Sequence, residues 1–169
     1  MAVKQRIAVS LLTISAAGFA GWQASESFVS SAMIPTKGDR PTIGYGSTFY
    51  EDGTAVKMGD TITRKRAEEL ARNLMSKDEA FLKKSLGDTP LHQEEYDVYV
   101  DFLGQYGKGN WKGKSIEREL LAGNYVKACK NLLLYKYAGG FDCSTPGNKR
   151  CYGSWERQLE RYGKCMGVQ

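Results

Sequence analysis

Apolar residues recur with a helical period downstream of Thr63. Steps of three and four residues place side chains on one face of an α-helix. Thr63 is a typical N-cap, because its hydroxyl can accept a hydrogen bond from the first turn. The pattern predicts a long amphipathic helix that starts after Thr63. Its apolar positions are Ala67, Leu70, Ala71, Leu74, Met75, Phe81 and Leu82.

A second helix is predicted over residues 91–106, where tyrosine, phenylalanine and leucine side chains share one broad face. Shorter helices are predicted over residues 115–121, 125–135 and 154–162. These apolar stripes are explained by core packing, so none of them requires a cofactor. The C-terminal part of the chain is therefore predicted to be a helical bundle.

Residues 33–61 have a different pattern, with short apolar runs between turn signals at Lys37-Gly38-Asp39 and Asp52-Gly53. This pattern predicts a small antiparallel β-sheet. The fold class is therefore α+β, with an initial helix, a small β-region and helices after it.

Length and composition indicate one water-soluble globular domain. The chain has 169 residues, of which 41% are hydrophobic and 25% charged, and its formal net charge is +5. A positive charge favours an anionic partner such as nucleic acid, anionic lipid or a cell-wall polymer. No helix-turn-helix, RNA-stacking motif or zinc finger is found, so nucleic acid is the weakest of these partners.

The N-terminal segment is typical of an exported protein. Lys4 and Arg6 precede an apolar run over residues 7–22. The run is short for a bilayer span, which needs about 20 residues, and its Ser, Thr and Gly residues make it weakly hydrophobic. A cleavable signal peptide is one interpretation, because residues 18–20 are small enough for a cleavage site.

Four cysteines lie in the last third of the chain, at Cys129, Cys143, Cys151 and Cys165. An even number in an exported protein predicts disulfides, and three pairings are possible. A zinc site is the alternative, but no C-x-x-C spacing is present and the single histidine, His92, is remote in sequence. We expect no metal, and we expect His92 to be a surface or helix-capping residue.

The candidate chemistry begins at Glu26, which follows the apolar run. If the initial helix ends there, the carboxyl group reaches the edge of the sheet, where residues 42–46 read Thr-Ile-Gly-Tyr-Gly. The two glycines would keep the facing strand free of bulky side chains. Glycosidic bond cleavage needs a proton donor and, in an inverting enzyme, a positioned water. Glu26 and Thr42 could supply these, although both could equally be structural.

These motifs resemble the phage lysozymes of glycoside hydrolase family 24, in which a helix ends in a catalytic Glu and a Thr opens a T-I-G-x-G strand. The resemblance runs over roughly residues 18–166. It continues through residues 57–63, 90–91, 96–99, 105–107, 115, 120–125, 128–129, 153, 157 and 165.

The resemblance implies a lysozyme-like fold over residues 18–169, in which an N-terminal helix and a small antiparallel β-lobe are joined by a long helix to a mainly helical lobe. It implies that Glu26 is the catalytic acid, that Thr42 holds water, and that Tyr45 and Gln105 bind substrate. It also implies a disulfide between Cys129 and Cys165, where exported relatives carry cysteines, and Cys143 and Cys151 would then close a loop peculiar to this sequence. No cofactor is implied.

The largest departure from the family pattern is Pro35, which stands nine residues after Glu26 where the family usually has an Asp. Asp39 lies in the same loop, and a shifted loop would bring it into the cleft as the second carboxylate. The alternative is that Asp39 only forms the turn between residues 37 and 40.

The resemblance extends to the signal-anchor-release endolysins of tailed phages. Residues 1–25 would then act as a temporary membrane anchor, with the helix that carries Glu26 continuous with the apolar run. The protein would be exported to the host periplasm, stay tethered to the inner membrane, and later refold in an active form.

The expected function is that of an endolysin, a monomeric muramidase that hydrolyses the β-1,4 bond between N-acetylmuramic acid and N-acetylglucosamine in peptidoglycan. Two other functions stay open at this point. A lytic transglycosylase would not need the missing carboxylate, and a non-catalytic wall-binding protein could use the same scaffold.

Overall fold

A computed structural model describes residues 5–35 and 38–169 of the chain. Residues 15–81 form one compact unit, the β-unit, and residues up to 14 together with residues 82–169 form a second, the helical unit. Lys4, which precedes the N-terminal apolar run, and Lys37, which belongs to a predicted turn, lie outside the described residues. The elements agree with the α+β class expected from the sequence.

The β-unit opens with helix α1, Ala16–Ser25, whose N-cap Ser15 accepts a hydrogen bond from the Gly18 backbone N–H at 2.9 Å. Strand β2, Val29–Met33, pairs antiparallel with β3, Thr42–Gly44. Val29 lies opposite Gly44 and Met33 opposite Thr42, with a register shift between them. The predicted small sheet is present, but it begins at Val29, before the predicted region.

Packing of the β-unit explains one of the two strand glycines. Gly44 has a φ of 65°, and a Cβ on it would lie 2.9 Å from the Cβ of Ala67. Only a glycine lets β3 approach the long helix this closely. The buried core around this contact consists of Ala32, Ile43, Tyr45, Val56, Ile62, Ala67 and Leu70.

The long helix is α2, Arg64–Leu86, which belongs to the β-unit at its start and to the helical unit at its end. Thr63 accepts a hydrogen bond from the Arg66 backbone N–H at 3.2 Å, as expected of an N-cap. The predicted start of this helix is confirmed.

The helical unit contains α3, Gln93–Tyr106; α4, Ser115–Leu121; α5, Tyr125–Asn131; and α6, Tyr152–Met166. The predicted bounds of α4 are confirmed. The other predictions were wrong at their ends: α3 starts after residue 91, α5 passes into a 3₁₀ turn at Leu132–Leu134, and α6 is longer at both ends.

His92 is the N-cap of α3 and is only 5% exposed. Its backbone N–H donates to the Glu95 carboxylate at 2.8 Å. The capping role is confirmed and the surface position is wrong, because the residue packs beneath the start of the helix.

The N-terminal run does not form one helix with α1, which corrects the expected continuity. Ile7–Ala8, strand β1, pairs with Pro90–Leu91, strand β4. A 3₁₀ turn follows at Val9–Leu11, and the chain is extended at Leu12 before α1 begins. Within the described residues no helix is both long and apolar enough to cross a membrane.

Two disulfides fix the C-terminal part of the helical unit. Cys129 is joined to Cys165 and Cys143 to Cys151, which are the two predicted pairs. The second pair lies beside a short hairpin formed by β5, Tyr137–Ala138, and β6, Phe141–Asp142.

Candidate active site

Glu26 is the residue at which the chain leaves α1. Its backbone N–H donates to the Gln23 carbonyl at 3.2 Å, while its φ of −107° and ψ of 132° are those of extended chain. The side chain is half-buried. The end of α1 therefore fixes the position of Glu26, as the sequence predicts.

Gly46 lies against this carboxyl group. It has a φ of 84°, and a Cβ added to it would lie 3.7 Å from Oε2 of Glu26. The glycines at 44 and 46 therefore act differently: Gly44 permits packing on Ala67, and Gly46 leaves space beside Glu26.

A groove in the β-unit contains Glu26 and is lined by Gln23, Phe28, Tyr45 and Arg64 among others. The Tyr45 hydroxyl accepts hydrogen bonds from Nε2 of Gln23 at 2.9 Å and from Arg64 at 3.3 Å. The Gln23 amide also donates to Glu68 at 2.9 Å. Polar side chains from α1, the T-I-G-x-G segment and α2 are thus fixed together around one hydroxyl.

Aromatic packing holds the same groove. The Tyr45 ring is 5.9 Å from Trp22 and 5.6 Å from Phe28, measured between ring centroids. The Arg64 guanidinium lies 4.4 Å from the centroid of Phe28, a cation–π contact. Only 6% of Tyr45 is exposed, so little of its surface is open to the groove.

Three residues of this site were missed by sequence reasoning: Gln23, Arg64 and Glu68. The position of Gln23, three residues before Glu26 in the predicted helix, was the one available signal, since that spacing places two helical side chains near one face. Arg64 and Glu68 carry no such signal, because their partners lie 19 and 45 positions away in sequence.

Thr42 lies at the start of β3, two residues before Gly44, and its hydroxyl donates to the Met33 carbonyl at 3.4 Å. Asp39 is exposed and follows Gly38, whose φ is 94°. Pro35 is also exposed. In the described part of the chain neither Thr42 nor Asp39 is among the residues that line the groove around Glu26.

Gln105, the other predicted substrate contact, belongs to the helical unit. It is exposed in the last turn of α3. The residue is therefore accessible there, and its role in substrate binding stays a prediction.

One group of described side chains has the spacing of a metal site: Glu95, Cys129 and Cys165. The two sulfur atoms are joined in a disulfide, so neither is a thiolate that could ligate an ion. Glu95 accepts hydrogen bonds from Arg6, His92 and Gln169 instead.

The sequence matches the phage lysozyme family over residues 23–158, a span that includes Glu26, the T-I-G-x-G strand and most of the helical unit. The chain belongs to the phage lysozyme family. It is accordingly a glycoside hydrolase of the lysozyme type, an enzyme that hydrolyses peptidoglycan.

Individual relatives agree with membership of the phage lysozymes. The chain is 36% identical over 99 residues to the endolysin of Salmonella phage P22. These aligned residues make up 59% of this chain and 67% of that protein. A solved P22 lysozyme structure matches with a TM-score of 0.71 and 28% identity, over 92% of this chain and 99% of the other.

More distant structures support the lysozyme-like fold alone. An endolysin from Escherichia coli O157:H7 phage FAHEc1 has a TM-score of 0.78 at 22% identity, over 94% and 96% of the two chains. The muramidase domain of SpmX from Asticaccaulis excentricus has a TM-score of 0.74 at 20% identity, over 92% and 98% of the two chains.

Proposed function

We propose that this phage lysozyme is a monomeric endolysin that hydrolyses the β-1,4 bond between N-acetylmuramic acid and N-acetylglucosamine, with Glu26 as its general acid. The observation that carries the proposal is the position of the Glu26 carboxyl group. It stands at the end of α1 in a groove, beside Gly46. A Cβ added to Gly46 would lie 3.7 Å from Oε2 of Glu26.

In the proposed reaction, Glu26 gives its proton to the glycosidic oxygen as the bond to the anomeric carbon breaks. A water molecule attacks the anomeric carbon, and the Thr42 hydroxyl holds that water. Asp39 receives the proton of the water if its loop brings it to the cleft on substrate binding. Tyr45 and Gln105 bind the sugar chain in this proposal, Tyr45 through its hydroxyl group.

Four variants test these roles on purified Gram-negative peptidoglycan: Glu26→Gln, Thr42→Ala, Asp39→Asn and, as control, Glu69→Gln. Glu69 is an exposed carboxylate on α2, so its loss should leave activity unchanged. We expect Glu26→Gln to fold normally and to lose at least about a thousandfold in rate, within the range that general acid catalysis and positioning supply. Substantial activity in a folded Glu26→Gln protein would disprove the proposed acid.

The same experiment separates catalysis from wall binding alone. An active wild-type protein and a folded, inactive Glu26→Gln variant exclude a non-catalytic scaffold. If the wild-type protein binds peptidoglycan without releasing fragments, the non-catalytic function is the correct one.

A lytic transglycosylase is the second candidate, and Pro35 is the observation that favours it. Without the usual family carboxylate at this position, the hydroxyl group of the sugar itself could attack in place of water. Mass spectrometry of the digested wall distinguishes the two reactions. Reducing ends would support hydrolysis, and anhydro-ended muropeptides would overturn it.

We further propose that the enzyme is exported to the host periplasm, where the N-terminal segment first tethers it to the inner membrane and then joins the fold. The contacts that support this are those of Arg6, Val9 and Leu12, all of which pack into the helical unit. Cleavage of a signal peptide near residue 20 would remove these contacts and half of α1. Mass spectrometry of the periplasmic protein tests this: an intact N-terminal segment supports release, and a protein starting at Gly21 or later disproves it.

A further inference from the structure

The segment over residues 136–151 forms a stapled hairpin in the helical unit. Strands β5 and β6 are joined by Gly139 and Gly140, whose φ values of 55° and 82° are those of a tight two-residue turn. Directly after β6, the Cys143–Cys151 disulfide closes the rest of the segment into a loop. We call residues 136–151 the aromatic hairpin.

Polar contacts fix the aromatic hairpin from within. Asp142 forms an ion pair with Lys136 at 2.7 Å and accepts a hydrogen bond from the Ser144 hydroxyl at 2.6 Å. The Asn148 side chain donates to the Asp142 carbonyl at 2.9 Å. A segment held in this way loses little conformational entropy when it binds a partner.

Two of the side chains that the hairpin presents to solvent are aromatic. Tyr137 is 61% exposed and Phe141 is 44% exposed. Tyr137 pairs with Asp142 and Phe141 with Ala138, so the two rings lie on opposite faces of the hairpin. Each face of this rigid support therefore offers one exposed aromatic ring.

Cations accompany both rings. The Lys136 ammonium lies 5.2 Å from the Tyr137 ring centroid, and the Arg150 guanidinium lies 4.4 Å from that of Phe141. Lys149 and Arg150 are exposed, whereas the one carboxylate of the hairpin, Asp142, is held by Lys136. Each of the two rings therefore stands beside a positive charge.

One groove of the hairpin combines these groups. It is lined by Phe141, Asp142, Asn148, Lys149 and Arg150 among others, and the Asp142 carboxylate is paired with Lys136. An aromatic ring can cover the apolar face of a sugar ring, an amide can pair with its hydroxyl groups, and a guanidinium can bind a carboxylate through two hydrogen bonds. Glycan strands that carry acidic stem peptides offer all three groups.

We propose that the aromatic hairpin is a wall-binding surface that contacts peptidoglycan independently of the groove around Glu26. It holds the enzyme on the insoluble polymer between bond cleavages. The inference rests on the proposed function for the identity of the polymer, but it concerns binding and not the chemical step.

Binding is measured with purified sacculi by sedimentation, in a Glu26→Gln background so that the wall is not consumed. We expect the double variant Tyr137→Ser/Phe141→Ser to bind at least about fivefold more weakly than its parent. Lys149→Gln/Arg150→Gln should also weaken binding, and most strongly at low salt, because exposed charges are screened as salt rises. The matched control is Leu121→Ser/Val126→Ser, which removes two exposed apolar side chains of the same unit and should have no effect.

A parallel measurement in active protein, which keeps Glu26, separates binding from catalysis. The Tyr137→Ser/Phe141→Ser protein should hydrolyse sacculi more slowly and a short soluble glycan at the wild-type rate. Unchanged unfolding midpoints and intact disulfides would show that the variants keep their fold.

Three results would overturn the inference. The Tyr137→Ser/Phe141→Ser variant could sediment with sacculi as well as its parent, or the Leu121→Ser/Val126→Ser control could lose as much binding. The third is that the Tyr137→Ser/Phe141→Ser variant loses binding to anionic phospholipid vesicles but still binds sacculi, which would assign the surface to lipid. Failure of the proposed function has a different signature. An active Glu26→Gln protein would refute the catalytic role of Glu26 and leave the sedimentation result to be judged by itself.

Discussion

At the scale of single residues, Gly46 shows how the site depends on an absent side chain. Gly46→Ala would strain the backbone at a φ of 84° and place a Cβ 3.7 Å from Oε2 of Glu26. Gly53 is a matched control, because its φ is 86° and a Cβ there meets nothing within 4 Å. Both variants should lose about 1 kcal/mol of unfolding free energy from backbone strain.

Activity should separate the two glycine variants. We expect Gly46→Ala to lose roughly tenfold in kcat/KM on peptidoglycan, equivalent to about 1.4 kcal/mol, because the methyl group restricts the Glu26 carboxyl and its access to substrate. Gly53→Ala should keep near wild-type activity. Equal activity in the two proteins would show that Gly46 serves the turn and not the site.

Tyr45 is the second residue to test, and the test concerns its hydroxyl group. Tyr45→Phe removes the acceptor shared by Gln23 and Arg64, so the side chains around Glu26 lose their fixed arrangement. We expect a stability loss of about 1 kcal/mol together with a lower kcat. Tyr50→Phe removes the hydrogen bond to Asp60 at 3.0 Å in the same unit, and it should reduce stability to a similar extent without changing kcat.

The sequence was informative about Glu26 but not about its neighbours. Glu26 could be proposed because the end of the predicted helix and the T-I-G-x-G strand both point to one place in the fold. Gln23, Arg64 and Glu68 come together only through tertiary packing, and their polar side chains follow no period. Whether Asp39 replaces the missing family carboxylate depends on its loop, which no local pattern determines.

At the scale of elements, the helical period predicted where helices lie but failed where polar residues are buried. Helix α6 extends beyond the predicted residues 154–162 at both ends, and inside the predicted part the polar side chains of Gln158 and Arg161 are buried at 0% and 2% exposure. An apolar period cannot register such positions. The short strands β1 and β4 were missed because two residues are too few to show alternation.

The polar contact between α3 and α6 leads to a prediction at this scale. Asp101 binds Arg157 and Arg161, each at 2.6 Å, inside the helical unit. Burial by itself would raise the pKa of Asp101, but the two guanidinium groups outweigh it and hold that pKa below its usual value. Asp101→Asn should therefore lose about 3 kcal/mol of unfolding free energy at neutral pH, because it leaves buried cations without their carboxylate.

The pH dependence of this loss follows from the direction of the pKa shift. The unfolded carboxyl titrates near its ordinary pKa of about 3.9, and the folded one titrates lower, so the stabilisation is present above pH 4 and is lost as pH falls through the folded pKa. Urea unfolding at pH 7 and pH 3 should show a large difference between wild type and Asp101→Asn that shrinks in acid. Glu119→Gln, which removes the half-buried partner of the exposed Lys127, should cost much less stability than Asp101→Asn.

At the scale of the whole molecule, the N-terminal segment is the feature that links fold to the proposed release. The sequence predicted a weak apolar run, and the structure divides that run between β1, a 3₁₀ turn and α1. Hydrophobicity alone could not predict this division, because the run packs against partners distant in sequence: Ile7 pairs with Leu91, and the Val9 backbone N–H donates to the Thr89 carbonyl at 3.2 Å.

Arg6 is the most specific contact of this segment. Its guanidinium donates to both oxygens of Glu95 at 3.2 Å and lies 3.8 Å from the Tyr125 ring centroid. Glu95 is fully buried, so its charge is stabilised in the folded protein by a cation that the N-terminal segment supplies. In the proposed tethered form, with residues 7–22 in lipid, this ion pair would be absent and the helical unit would be less stable.

The last prediction tests that dependence directly in the purified, full-length protein. Arg6→Gln leaves the buried Glu95 without its cation, so we expect a loss of about 3 kcal/mol of unfolding free energy, measured by urea unfolding with both disulfides intact. Lys130→Gln removes an exposed cation of the same unit and should change stability by less than about 0.5 kcal/mol. A similar small change in Arg6→Gln would mean that the strand pairing of β1 and the burial of Val9 and Leu12 hold the segment, and that the ion pair does not favour the released form.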